Sequence, residues 1–588
     1  MHKSLPNKRW AVQKFAANDK RGNIVTVLLQ DYFHRGVFKS IILERQWKRI
    51  EGQLDGHVDA TLKLLDDFNI KATFFTLGWI AEHSPEIIKR IASERHEIAS
   101  AGYWARSIRE MSPDQFREDI RRSRHALEQA GANRVVGYRN AYLWLREKDF
   151  WALEILREEG FLYDAGFRPA LFDFNGKSCK RYVHRYQTKS GDITEIPAAT
   201  HPICGMNLPI SGGNYLRQFP HSIMFRCYRS WCRNTSYPFV LYFHPWELDK
   251  HQPQINAIGR FGRLKQYRNL GKMTEILPRY FQEAKFQSAS AYLGISLEYS
   301  DASDSVSSAR TSTIDSHSSS PAPDAHRTAW RVNHSKLKSE KVLPRKPVTI
   351  LIPCFNEGSS LPYLARALEE LKIQGRDKYS FIFLFLDDCS SDDTVSKLQD
   401  LYSEEENCKI VRHDQNMGIA AALHTGFKFS ETEIVCSIDA DCSYDPLDLL
   451  EMIPLLKDGV DMVTASPYHL KGNVLGVPGW RLILSKTLSN IYHVMLNHKM
   501  STYTSCFRVY RRSSVSDINI TRGDFRGIIE LLARLDFCGG KIVEYPTTLQ
   551  SRIFGFSKMK VLRLILGHLK LLFELMSIKW SNKLRSEN

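Results

Sequence analysis

A short apolar run that ends in two acids separated by one small residue constrains this chain more than any other stretch. In Ile434-Val-Cys-Ser-Ile-Asp-Ala-Asp-Cys-Ser-Tyr-Asp-Pro446 the run reads as a buried strand that delivers Asp439 and Asp441 together at its C-terminal end. A hard divalent cation takes oxygen ligands, so carboxylates at this spacing can hold one that a diphosphate also binds. Alone the pair carries little weight, because Asp-x-Asp is common in solvated turns. Its neighbours add to it. Val348-Thr-Ile-Leu-Ile-Pro353 reads as a buried strand followed by Cys354-Phe-Asn-Glu357 and a helix from Ser359 to Ile373. Phe381-Ile-Phe-Leu-Phe-Leu386 is a second strand, ending in Asp387-Asp-Cys-Ser-Ser-Asp-Asp-Thr394. A third strand around Lys409–Arg412 and a helix over Met417–Phe429 follow. In open α/β sheets ligands bind at the C-terminal strand edge, and three acid-bearing strand ends are expected to converge there.

The pieces Pro353-Cys-Phe-Asn-Glu357, Asp387-Asp-Cys-Ser-Ser-Asp392, Asn416-Met-Gly418, Asp439-Ala-Asp441, Thr504-Ser-Cys-Phe-Arg508 and Arg552-Ile-Phe-Gly-Phe-Ser-Lys558 occur in this order. In order and spacing, residues from about 346 to 580 resemble the inverting family 2 glycosyltransferases of the GT-A fold, and among them the polyprenyl-phosphate sugar synthases such as dolichol-phosphate mannose synthase. The resemblance implies that Pro353, Asn356, Glu357, Asp387, Asp388, Asn416 and Gly418 bind the donor. It also implies that Asp439 and Asp441 hold Mg2+ or Mn2+ on the donor diphosphate. Arg481, Ser505, Arg508, Arg552, Ser557 and Lys558 would surround the donor and acceptor phosphates, with Arg481 and Arg508 counted as catalytic. Asp387 and Asp388 are read as orienting the nucleoside, while helix capping fits Asp392 better.

The chain departs from that pattern twice. A Ser-Arg-Tyr word reads Ser466-Pro-Tyr468, and the acid expected before Thr-Ser reads Thr502. Hydroxyl-directed relatives need a carboxylate base, for which Asp524 and Glu530 are the candidates, whereas a polyprenyl phosphate is already ionised and needs none. The abundance of arginine favours an anionic acceptor.

Between Asn23 and about Ser300 strand and helix patterns alternate: strands at Ile24–Leu29, Lys71–Phe75 and Val135–Arg139, helices at Leu54–Phe68, Pro85–Ser93, Pro113–Ala130 and Asp149–Glu159. Periodicity leaves a parallel barrel and a wound sheet equally open. The words Gln30-Asp-Tyr-Phe-His34, Lys71-Ala-Thr-Phe-Phe-Thr-Leu-Gly-Trp79, His96-Glu-Ile-Ala-Ser-Ala-Gly-Tyr103, Gly137-Tyr-Arg139, Tyr163-Asp164 and Tyr242-Phe-His-Pro-Trp-Glu247 resemble the NodB-homology polysaccharide deacetylases, in the subgroup found in exopolysaccharide loci. That implies a distorted (β/α) barrel. It also implies a zinc held by an Asp and two His, with a neighbouring carboxylate as base. Here Asp31 remains, but the histidine positions fall on Ala101 and Ala105, the acidic neighbours are Leu28 and Gln30, and the Pro after the motif arginine is Ala141. A degenerate site of Asp31, Ala101, Ala105, Arg139, Asp164 and His244 without zinc is expected. A displaced metal site on His34, His96 or His244 is the competing reading. Arg139, Asp164, His244, Trp246 and Glu247 form either a sugar groove or barrel wall.

The expected organisation is a tail over 1–22, a deacetylase-like domain over 23–300, a Ser/Pro-rich linker over 301–346, the transferase over 347–558, and an amphipathic helix and tail over 559–588. The last segment lies on a bilayer or packs on the transferase. A formal net charge of +16 over 588 residues favours anionic partners. Without C-x-x-C or RNA-binding signatures, nucleic acid is set aside in favour of phosphates and an anionic membrane surface. Eleven scattered cysteines suit a reducing cytoplasm, and no apolar h-region follows the N-terminal basic residues, so the expected location is the cytoplasmic membrane face. Three functions follow: a transferase acting on a nucleotide-sugar donor and a polyprenyl-phosphate or glycan acceptor, a bifunctional transferase and deacetylase, and a non-catalytic scaffold.

Overall fold

The computed structural model describes residues 12–14, 22–297 and 345–577, except 35, 40, 142–144, 168, 170–178, 204–205, 256, 556–566 and 569. Most of the linker, Ser557, Lys558 and much of the C-terminal amphipathic segment therefore lie outside the described residues.

The N-terminal domain is built on one ten-stranded sheet. Asn23–Leu29, Thr73–Thr76, Glu97–Ser100, Gly137–Tyr138, Tyr163–Asp164 and Gly191–Glu195 pair in parallel in that order, and Val240–Phe243 joins the other side of Asn23–Leu29. The first two strands are buried on both faces, and their threonines Thr26, Thr73 and Thr76 are buried along with the apolar residues. Beyond Gly191–Glu195 the sheet turns antiparallel through His184–Thr188 to Val12–Lys14. The path ends there and at Val240–Phe243 without closing among the described residues, giving a curled, distorted half-barrel.

The second domain has a seven-stranded sheet in the order Cys408–Arg412, Tyr379–Asp387, Lys346–Cys354, Ile434–Ser437, Arg508–Arg511, Met462–Ser466, Ile542–Pro546. Only Arg508–Arg511 runs antiparallel to its neighbours. Successive side chains alternate between faces: Ile350 and Ile352 enter one core, Leu351 the other, and the same split separates Phe383 and Phe385 from Leu384 and Leu386. The helices Leu361–Gly375 and Ile419–Phe429 cover opposite faces, which makes this a doubly wound GT-A-type sheet. Strand order reverses between Lys346–Cys354 and Ile434–Ser437, the switch point at which such sheets open a ligand crevice.

The helix assigned from sequence to Pro85–Ser93 has those ends, started by Pro85 at its first position. Residues 570–577 are helical and bury Leu571, Leu572 and Leu575 in the transferase core, while Glu574 pairs with Arg522. Of the two readings left open for this segment, its described part takes the packed one. Among the described residues no helix is long and apolar enough to cross a membrane.

Candidate active site

Four charged side chains meet at the switch point. Asp439 and Asp441 leave the end of Ile434–Ser437, Glu357 leaves the end of Lys346–Cys354, and Arg552 arrives from the C-terminal side of Thr548–Gln550. Arg552 Nη2 lies 2.6 Å from Asp441 Oδ2 and Nη1 lies 3.4 Å from Glu357 Oε1, so one guanidinium bridges the two strand ends. Loss of hydration, then repulsion from Asp441, pushes the Asp439 carboxyl up to about 7, with Glu357 adding to the effect and Arg552 opposing it. A carboxylate held this far above its ordinary range beside a second one is a donor set that a divalent cation satisfies. Asp439 and Asp441 are the two carboxylates here that could hold a cation; among the described residues no cluster of three or more such side chains occurs.

The other predicted donor residues shape the loops around this centre. Asn356 has a left-handed backbone (φ 54°), and its side-chain oxygen accepts from the amides of Ser391 (2.7 Å) and Asp392 (3.2 Å), tying the first strand end to the second. The Glu357 amide donates to Thr394 Oγ1 at 2.8 Å. Pro353 is the next-to-last residue of the same strand, opposite Leu386. Asp387 is buried on Arg412 and the Ser390 amide. Asp388 accepts from the Met417 amide (2.8 Å), the Gly418 amide (2.7 Å) and pairs with His413 (2.9 Å). The Asp388 carboxylate thus braces the Asn416-Met-Gly418 turn, and Asn416 Nδ2 donates to the Asp388 carbonyl at 3.4 Å. Gly418 has φ 93°, and a Cβ there would lie 2.7 Å from the Gly523 carbonyl, so only glycine lets this helix start pack against residue 523. Asp392 accepts from the Thr394 amide at 3.0 Å in a local turn, but the N-cap position of the helix Thr394–Tyr402 falls to Asp393, whose side chain makes no capping bond.

Arg508 is fully buried, donating Nη1 to the Ile528 carbonyl and Nη2 to the Tyr503 carbonyl, each at 2.9 Å, so it braces the turn before its strand. Ser505 Oγ in that turn accepts from the Phe507 amide, and Tyr444 stacks on Phe507. Arg481 lies in the first turn of the helix Gly479–Met495 with its guanidinium near the Trp480 ring and, among the described residues, in no ion pair. The two departures are neighbours: Ser466 Oγ donates to Thr502 Oγ1 at 3.0 Å, so Pro467 and Thr502 remove a positive and a negative group from one spot together. The candidate bases are occupied. Asp524 caps a helix and pairs with Arg526, and buried Glu530 is held by Arg534, Arg522 and Thr521. Burial works against the charge of each, but these donors outweigh it and keep both carboxyls below their ordinary range.

In the N-terminal domain Asp31 is buried and accepts from the Tyr32 amide (2.7 Å) and the Gln53 amide (2.9 Å), and burial lifts it to about 7. Ala101 and Ala105 are buried without donor atoms, as sequence requires. His34 Nδ1 accepts from the Asp31 amide, its ring packs against Trp47 and Trp79, and burial lowers it to about 3. His96 is structural, accepting the Ala72 amide at 3.1 Å. Arg139 lies over the Tyr242 ring, held down to about 10 by burial. Asp164 is likewise lifted by burial, to about 6, beside Glu195, whose carboxyl stays well above its ordinary value. Sequence reasoning missed Glu195, which sits on a strand outside every recognised word. His244 Nδ1 lies 3.6 Å from Glu247, itself paired with buried Arg217. Trp246 is fully buried in the core and belongs to the wall.

Comparison with known proteins agrees with this division. Residues 349–518 match the model described as glycosyl transferase family 2, residues 51–154 that of polysaccharide deacetylase, and residues 167–294 a domain of unknown function. The chain is 27% identical over 239 residues to dolichol-phosphate mannosyltransferase of Pyrococcus furiosus, covering 40% of this chain and 65% of that protein, just under two thirds of its length. It is 28% identical over 225 residues to polyprenol monophosphomannose synthase of Mycolicibacterium smegmatis, covering 37% of this chain and 83% of the relative. An undecaprenyl-phosphate 4-deoxy-4-formamido-L-arabinose transferase of Klebsiella pneumoniae is 26% identical over 244 residues, covering 41% and 70%. Among solved structures, one described as a polysaccharide deacetylase from Mycobacterium smegmatis aligns at TM-score 0.30 with 20% identity, over 46% of this chain and 92% of that one. Glucosyl-3-phosphoglycerate synthase of Mycobacterium tuberculosis, solved with Mn2+, UDP and phosphoglyceric acid, aligns at TM-score 0.31 with 16% identity, over 40% and 78%. The chain thus joins a polysaccharide deacetylase domain, matched over residues 51–154, to a glycosyl transferase family 2 domain, matched over residues 349–518.

Proposed function

We propose that the C-terminal domain moves a sugar, with inversion, from a nucleotide-sugar donor to a polyprenyl phosphate or related membrane-bound acceptor in cell-surface polysaccharide synthesis. The observation that carries this reading is the Arg552 bridge between Asp441 and Glu357 beside the raised carboxyl of Asp439. Asp439 and Asp441 would hold Mg2+ or Mn2+, which supplies positive charge to the donor diphosphate as it departs. Arg552 keeps a fixed cation at the same mouth, and Arg481, in no ion pair among the described residues, is available to a phosphate. Asp524 and Glu530 are engaged elsewhere, which suits an acceptor that is already anionic and attacks without a protein base. The lipid-phosphate names of the relatives point the same way.

A bilayer is the source of such an acceptor, and the chain is read as peripheral on the cytoplasmic membrane face. Trp480, Ile483, Leu484, Ile491 and Val494 lie on the helix Gly479–Met495 and are all exposed, with Ile483 at 68% and Val494 at 81%; this apolar face suits an interfacial position. The N-terminal domain is read as a deacetylase fold without zinc or hydrolysis, because buried alanines stand where imidazoles are needed and Asp31 is spent on amides. The domain limits 23–300 and 347–558, with the linker between them, belong to the same reading.

The test is a nucleotide-sugar screen on full-length protein with membranes supplied and Mn2+ or Mg2+ present, run beside Asp441→Ala. Lipid-linked product from the wild type and none from the variant is the expected result. No product with any donor supports the scaffold reading instead, and bound zinc with acetate release from a glycan supports the bifunctional one.

A further inference from the structure

The short 3-10 helix Glu44–Arg49 of the N-terminal domain faces two ways. Trp47 turns inward onto His34 at 4.3 Å, Trp79 at 5.3 Å and Trp104 at 5.7 Å, closing over the altered deacetylase site. The opposite side reaches the transferase in three places. Arg49, 1% exposed, donates Nη1 to Asp445 Oδ1 at 2.8 Å and Nε to Glu370 Oε2 at 2.7 Å. Arg45 adds a second contact to Asp445 at 3.2 Å. Gln46 Nε2 donates to Gln550 Oε1 at 2.8 Å, and Arg366 Nη1 donates to the Arg49 carbonyl at 3.0 Å.

Each contacted segment adjoins a member of the charged cluster of Asp439, Asp441, Glu357 and Arg552. Asp445 lies in the loop just after Asp441, Gln550 closely precedes Arg552, and the helix Leu361–Gly375 that bears Arg366 and Glu370 follows Glu357. The junction is not a loose surface contact, since one continuous set of buried apolar side chains includes Ile41, Trp47 and Ile50 on one side and Leu361, Tyr363 and Cys442 on the other.

We propose that Arg49 is a positioning residue of the transferase centre: by clamping Asp445 to Glu370 it fixes the loop of Asp439 and Asp441 relative to Glu357, making the N-terminal domain a structural part of the cation site. The proposal rests on the transferase reading above. Removing Arg49 leaves buried Asp445 with only the half-exposed Arg45 as a cationic partner, and the chain relaxes where it can. Here that is the loop 439–446, because Glu370 is partly exposed and can turn to water while Asp445 is buried.

Mn2+ binding tests this, read as loss of the free-ion electron paramagnetic resonance signal on full-length wild type, Asp441→Ala, Arg49→Met, Arg49→Lys and Arg229→Met. Arg229→Met breaks the Arg229–Glu283 pair within the N-terminal domain. Arg49→Met is expected to weaken Mn2+ binding roughly tenfold or more, Arg49→Lys to recover part of the loss, and Arg229→Met to match wild type. Amide hydrogen exchange without metal should be faster over 439–446 in Arg49→Met and unchanged in Arg229→Met. A folded Arg49→Met protein with Mn2+ affinity and 439–446 exchange within about twofold of wild type would overturn the proposal. Wild type that binds no Mn2+ would instead remove the cation from the transferase reading, and the exchange comparison then decides alone, faster exchange supporting the clamp and unchanged exchange refuting it. If Arg49→Met does not fold, Arg49→Lys and Glu370→Gln provide the same comparison.

Discussion

The carboxyl of Asp439 sets how the protein should respond to Mn2+ as pH changes. It titrates near 7 when no cation is bound, and a cation must displace the proton. Between about pH 8 and about pH 6 the ionised fraction of such a group falls about tenfold, so the apparent Mn2+ affinity falls by the same factor. At a free ion concentration of about 100 times the dissociation constant at the higher pH, binding stabilises the fold by about 2.7 kcal/mol; at the lower pH the same ion gives about 1.4. For a domain of this size that is a rise in Tm of roughly 5–10 °C, cut to about half. The sign for the ion-free protein is opposite. A raised carboxyl contributes stability that is complete below the ordinary carboxylate range and lost as pH climbs through about 7, so Mn2+ offsets a cost that has reached its full size in alkaline buffer. Differential scanning fluorimetry with and without Mn2+ across this range, on wild type, Asp439→Asn and Asp441→Ala, measures all of it. An Mn2+ shift that is the same at both ends, or one that survives Asp441→Ala, would refute the reasoning.

Arg508→Met should lower stability by about 2–5 kcal/mol in urea unfolding, because the Ile528 and Tyr503 carbonyls lose their donors; protein that remains folded should keep its donor KM. Gly418→Ala forces a side chain into a glycine-only conformation against the Gly523 carbonyl, at a local cost of about 1–3 kcal/mol, and should raise the donor KM in steady-state kinetics and lower Tm by several degrees in a thermal melt. Ile483→Glu removes an exposed apolar anchor worth about 1.5–3 kcal/mol in a bilayer interface and should cut sedimentation with anionic liposomes about tenfold or more. Asp31→Ala should leave the zinc content of the purified chain unchanged by elemental analysis, since the retained carboxylate already satisfies two amides.

The fold was legible where burial on both faces of a sheet enforces apolar runs, as in Val348–Pro353 and Phe381–Leu386, and where proline marks a helix start, as at Pro85. The acids at strand ends were legible for the same reason, since the run fixes where the strand stops. What a side chain faces was not. Asp388 and Arg508 belong to recognised words, yet amides and carbonyls from distant segments take up their charges, and no local pattern encodes that. Glu195 is carried by a hairpin and meets Asp164 only through the pairing of Tyr163–Asp164 with Gly191–Glu195. The C-terminal amphipathic segment was the expected bilayer-facing helix; among the described residues an exposed apolar face lies on Gly479–Met495, whose Trp480, Ile483, Leu484, Ile491 and Val494 repeat at helical spacing and could have been found by that period.

The strand Arg508–Arg511 runs against both of its neighbours, so it is entered, not left, at the edge where Asp439 emerges. The chain coming off Gly479–Met495 must therefore pass the crevice before it joins the sheet. Among the described residues no other element lies between that helix and this strand, so any displacement of the helix end reaches the crevice wall through the Ser505 turn.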